Sequence, residues 1–109
     1  MAMETIFNEA IKLTDLELEL ANKQYPLFVS MHEGHSVMLE EYDELSDQTK
    51  VLKKAMNMLW DYIKEHDEGA AFRMANTIET EAQKAAAEAI QVAAMAKKFR
   101  VSLERKGVE

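Results

Sequence analysis

Residues 41–54 read EYDELSDQTKVLKK, and their reading decides how many helices the chain makes. Tyr42 and Leu45 continue an apolar stripe begun at Met38. Ser46 and Asp47 interrupt it with residues that favour caps and turns over helix interiors. Leu52, Met56, Leu59, Trp60 and Ile63 then resume a stripe at helical spacing. The interruption predicts a bend between two helices, with one continuous helix as the alternative.

Upstream, Ser30 and Glu33 stand three apart, as in a capping box. The second predicted helix therefore starts there and runs to about Gln48. A third covers Thr49 to His66, with Gly69 as its C-terminal stop. The first runs from Glu4 to Lys23, with Ile6, Ala10, Leu13 and Leu20 on one face. Pro26, in QYPLFVS, disfavours helix at Tyr25. The last covers Ala70 to Leu103, with Met74, Ile78, Ala85, Val92, Met95 and Phe99 on one side. Short connections between these elements predict an all-α, four-helix antiparallel bundle in a single domain, 1–109. An Ala-rich last helix and Met-rich faces predict a homo-oligomer, a dimer or tetramer.

Composition limits the partners. The net charge is −7 across 109 residues, which argues against a phosphate-neutralising nucleic-acid surface. There is no cysteine, hence no disulfide, thiol nucleophile or cysteine-zinc site. No apolar run approaches the ~18 residues that span a bilayer. MAMETIFNEAIKL has no basic region followed by an apolar run. A cytoplasmic protein that binds neither membrane nor nucleic acid is expected.

The acidic residues separate by helical face. Glu40, Asp43 and Asp47 point away from the apolar side of the second helix. Glu41 and Glu44, three apart, flank that side and converge on one point. Glu88 falls near the middle of the apolar face of the last helix, between Ala85, Val92 and Met95. Glu81 lies one heptad earlier, and Gln91 sits at the edge. An ionised carboxylate on a core face is costly unless a cation or hydrogen bonds compensate it. Two readings follow: a salt bridge, with Lys84 or another lysine as the partner, or a metal held by Glu41, Glu44 and Glu88.

Carboxylates without suitably placed His or Cys favour a hard cation, Mg²⁺ or Mn²⁺. No Glu-x-x-His is present, so the di-iron bundle pattern is absent. HEGH, residues 32–35, lacks the spacing of the zinc-protease motif.

The run Glu40-Glu41-Tyr42-Asp43-Glu44-Leu45, preceded by His32-Glu33, resembles the E-E-x-x-E-L motif of the MazG-like nucleotide pyrophosphohydrolases. EAIQVAAMAKKF, Glu88 to Phe99, resembles the second-motif helix of small members of that family, and Phe28 to Gly34 matches F-x-S-x-H-E-G. The resemblance implies an all-α oligomeric enzyme that uses Mg²⁺ to convert a nucleoside triphosphate and water to the monophosphate and pyrophosphate, as in nucleotide-pool house-cleaning. It carries metal ligation onto Glu41, Glu44, Glu88 and Gln91. Gln91 stands where many members have Asp, which removes one negative charge. The segment between the two motifs is also longer than the family pattern.

On that reading carboxylates hold the metal, and the metal holds the phosphates against an acidic protein. The metal also activates water for attack. Glu40 or Glu44 serves as general base. Lys23, His32 and Lys84 are candidates for phosphate contact, and Phe28, Tyr25 or Trp60 for the base. The alternatives are a catalytically degenerate MazG-like module that binds metal, nucleotide or protein, and a purely structural bundle with internal Glu–Lys pairs.

Overall fold

The computed structural model describes residues 2–24 and 26–107. Tyr25, named above for base contact, lies outside them. The described residues form α1 (Ala2–Gln24), α2 (Met31–Lys64) and α3 (Glu68–Glu104), with no strand. The described residues are all-α, with three helices where the sequence predicts four.

The predicted bend at Ser46-Asp47 is absent, because α2 passes through it unbroken for 34 residues. No Pro or Gly lies between His35 and Glu68 to break the helix. The Ser46 carbonyl also accepts from the Thr49 hydroxyl, at 2.8 Å, within the helix. The real break comes later. His66 takes a left-handed φ of 56°, a region that His visits more readily than most side chains. The N–H of His66 donates to the Ile63 carbonyl and that of Asp67 to the Tyr62 carbonyl, both at 3.0 Å. These two bonds close a Schellman motif. Asp67 then accepts from the Ala70 N–H and starts α3. Gly69, expected as the stop, therefore lies in the first turn of the next helix.

The capping box at Ser30 forms. Its hydroxyl accepts from the Glu33 N–H at 3.1 Å. The Glu33 carboxylate reaches back one residue further than in the usual motif, to the Val29 N–H at 3.3 Å.

α2 and α3 form a long antiparallel hairpin, and α1 packs on α3. An ion pair between Asp15 and Lys97 ties α1 to α3. The core is small and lies at one end of the hairpin. Leu18, Phe28, Ala94 and Met95 form it, with Val37, Met38 and Phe99 packed around. Gly34 lets α2 approach here. A Cβ on Gly34 would stand 2.2 Å from the Phe99 ring and 3.1 Å from the Phe28 ring. The connecting segment is held down by its backbone. The Phe28 N–H donates to the buried Ser102 hydroxyl at 3.0 Å, and Lys106 donates to the Val29 carbonyl at 2.6 Å.

The opposite end of the hairpin has no α1 over it. Trp60, Ile63 and Phe72 are exposed there, Phe72 to 78%. Ile6, Phe7, Leu13, Leu16 and Leu20 of α1 are exposed as well. The radius of gyration is 18.1 Å, whereas a compact domain of this length has about 13 Å. No helix among the described residues is long and apolar enough to cross a membrane.

Candidate metal centre

Glu41 and Glu44 stand one turn apart on α2, and Glu88 faces them from α3. One carboxylate oxygen from each lies within 4.8 Å of the others. Oxygens sharing one octahedral Mg²⁺, at metal–oxygen distances near 2.1 Å, lie ~3–4 Å apart. Glu41 and Glu88 are half-buried, whereas Glu44 is exposed. The donor set fits a hard cation: all carboxylate, converging from two helices, with one member open to solvent.

The electrostatics fit too. Burial pushes the Glu41 carboxyl above its ordinary range, and the charges of Glu44, Glu88, Glu40 and Glu17 push it further in the same direction. No ion pair among the described residues includes Glu41, Glu44 or Glu88. The salt-bridge reading of Glu88 by Lys84 is overturned. Lys84 lies 3.4 Å from Glu81, and its side chain is largely exposed. Glu81 is the compensated carboxylate of α3. The Gln48 side chain donates to it across the hairpin, and this bond lowers its pKa ahead of attraction by Lys84.

Beside the cluster a groove of about 700 Å³ opens between α1 and α2, with α3 as its floor. Glu17 and Leu20 of α1 form one wall, Val37, Glu40 and Glu41 of α2 the other. Gln91, Met95 and Lys98 line the floor, and Phe28 and Pro26 close one end. Glu41 belongs to both the carboxylate cluster and the groove.

The sequence-derived residues divide accordingly. Glu41, Glu44 and Glu88 come together, and Glu40, Gln91 and Phe28 join Glu41 at the groove. Lys23, His32 and Lys84 do not line it. Trp60 is exposed far along α2, with the Lys64 ammonium 5.9 Å from its ring centre.

Lys98 is the residue that sequence reasoning missed. It is 3% exposed, yet it lines the groove. Its ammonium sits 4.8 Å from the centre of the Phe28 ring. Burial lowers its pKa, and the nearby Glu33 charge offsets part of that effect. The signal was present in the spacing: Glu88, Gln91, Met95, Lys98 and Ser102 recur at three and four along one face of α3. A lysine in that register is as unusual as Glu88 is.

Comparisons with protein-family models, with curated proteins and with solved structures return no match for this chain.

Proposed function

We propose that this chain is a MazG-like, Mg²⁺-dependent nucleoside triphosphate pyrophosphohydrolase, producing a monophosphate and pyrophosphate. The observation that carries the reading is the convergence of Glu41, Glu44 and Glu88 with no basic partner among the described residues. Three uncompensated carboxylates held together by two helices call for a cation. The adjoining groove has room for a nucleotide and an aromatic residue, Phe28, at one end.

Mg²⁺ or Mn²⁺ bound there supplies Lewis-acid stabilisation of phosphate charge. Glu41, Glu44 and Glu88 would hold the ion, with Gln91 beside them on the groove floor. Glu40, on the groove wall, is placed to accept a proton from water, with Glu44 as the other choice. The protein acts as a homo-oligomer that covers the apolar faces of α1 and of the far hairpin end.

Gln91 favours a second reading, a degenerate relative that binds metal or nucleotide without turnover. An amide contributes no charge to a site that must hold a divalent ion and a polyphosphate. A screen of nucleoside triphosphates for Mg²⁺-dependent pyrophosphate release separates the two. Release that disappears in Glu44→Gln and Glu88→Gln supports the enzyme. Absence of release from every common nucleotide, with Mn²⁺ still bound, supports the degenerate module.

A further inference from the structure

We propose that Lys98 is the anion-holding head of the groove, binding a phosphate group of the ligand whose cation sits at Glu41, Glu44 and Glu88. This inference rests on the metal-site reading above and adds the residue that receives the anion.

Lys98 is almost fully buried, and no ion pair or hydrogen bond to its ammonium exists among the described residues. The Lys98 stem is enclosed, whereas its ammonium keeps access to the groove with no protein partner filling that opening. The Phe28 ring beneath it offers a cation–π contact, 4.8 Å from the ammonium to the ring centre, and no hydrogen-bond acceptor. The carboxylates that face the same groove leave it uncompensated. Glu17 comes from α1, and Glu33, Glu40 and Glu41 from α2. None of these reaches ion-pair distance of Lys98. Glu33 is closest in effect, but its carboxylate accepts from the Val29 N–H. Lys98 is also the one basic side chain among the described residues lining the groove.

The placement fits an elongated anion. Glu88 and Lys98 share one face of α3, ten residues apart, and the long Lys98 side chain leans toward the N-terminal end of α3, which shortens the axial separation of about 15 Å between their backbones. A cation at one end and an ammonium at the other therefore hold different groups of one ligand. A bare anion is repelled by the groove's carboxylates, so its binding requires the metal. A polyphosphate complexed with a divalent cation meets both conditions.

The test uses the intact chain and two probes, Mn²⁺ alone by electron paramagnetic resonance and tripolyphosphate with Mg²⁺ by calorimetry. Lys98→Met is expected to bind Mn²⁺ as the wild type does and to lose about ten-fold or more in tripolyphosphate affinity. Lys98→Arg, which keeps the charge, is expected to retain most of that affinity. A wild-type measurement covers failure of the variants to fold. The ¹³Cε signal of Lys98 is expected to move with Mg²⁺ and tripolyphosphate together, and not with Mg²⁺ alone. Unchanged tripolyphosphate affinity in Lys98→Met, or an unmoved Lys98 signal, overturns the inference and leaves the metal site standing. Failure of wild type to bind Mn²⁺ overturns both.

Discussion

The carboxylates of Glu41 on α2 and Glu88 on α3 approach within 4.8 Å, while the lysine expected to neutralise Glu88 pairs with Glu81 instead. Two acids facing each other across a hairpin destabilise it unless something positive intervenes. Adding Mg²⁺ or Mn²⁺ is therefore expected to raise the melting temperature. Binding to the folded state alone contributes about 2.7 kcal/mol at one hundred times Kd. For a domain of this size that is roughly 10–20 °C. Glu88→Gln is expected to remove most of the shift, as read by calorimetric melts with and without metal. An equal shift in the variant places the ion elsewhere.

Glu41 gives the same site a pH signature. Its folded pKa lies above the ordinary value, first through burial and then through neighbouring acids. The folded state thus binds this proton more tightly than the unfolded state does. Stability falls as pH rises from the ordinary carboxylate value, ~4.3, through the raised one. The full penalty persists at neutral pH. Without metal, Glu41→Gln is expected to melt above wild type at pH 7, and the gap to close below about pH 4. With saturating Mg²⁺ the order at pH 7 reverses. A metal-free variant less stable than wild type at pH 7 would contradict the assignment.

What the sequence revealed, and what it concealed, follows from the range of each interaction. Ser30 with Glu33, and the converging faces of Glu41, Glu44 and Glu88, rest on helical periodicity, and they were legible. Ser46-Asp47 misled because propensity is a weak local term, and the hairpin partner overrides it. Gln48, just past the supposed bend, hydrogen-bonds Glu81 across the hairpin. Gly69 misled because His66 accepts the left-handed conformation three residues earlier. Lys84, expected as a buried partner, is exposed, and Lys98, to which the sequence reading gave no role, is buried instead. Both lie near the acidic face in sequence, but only tertiary packing, with Phe28 over Lys98, decides which one is buried.

Gly34 tests the packing around Phe28, which closes one end of the groove. A methyl group there overlaps the edge of the Phe99 ring, with contacts of 2.2 and 2.6 Å to two ring carbons. Overpacking of this kind costs about 1–3 kcal/mol. The higher helix propensity of Ala returns up to ~1 kcal/mol. Gly34→Ala is therefore expected to lower stability by a net of roughly 1 kcal/mol or more in denaturant melts. Adding Phe99→Leu is expected to recover part of the loss by removing the ring. A Gly34→Ala chain as stable as wild type would mean that Phe99 swings aside at no cost.

Ser46 tests the continuous helix. If it capped a separate helix, Ser46→Ala would cost ~1 kcal/mol. Inside α2 the same change replaces a mediocre helix former by the best one. Its expected effect is a gain of up to about 0.5 kcal/mol. Chemical denaturation of the two chains reads the sign directly, and a loss near 1 kcal/mol would restore the four-helix reading.

Lys84 and Glu81 form an exposed i, i+3 pair at 3.4 Å. Such pairs contribute about 0–1 kcal/mol and weaken with salt. A purely structural bundle with Lys84 as a buried partner would lose several kcal/mol on its removal. Lys84→Met is expected to change stability by less than about 0.5 kcal/mol. It is also expected to leave Mn²⁺ affinity unchanged, because Lys84 neither lines the groove nor touches the Glu41–Glu44–Glu88 cluster. Glu81 keeps its Gln48 hydrogen bond in the variant, and that bond is the larger cause of its lowered pKa. Thermal melts in low and high salt, with a Mn²⁺ titration of the same samples, measure both quantities. A large, salt-insensitive loss would return Lys84 to the core and reopen the salt-bridge account of Glu88.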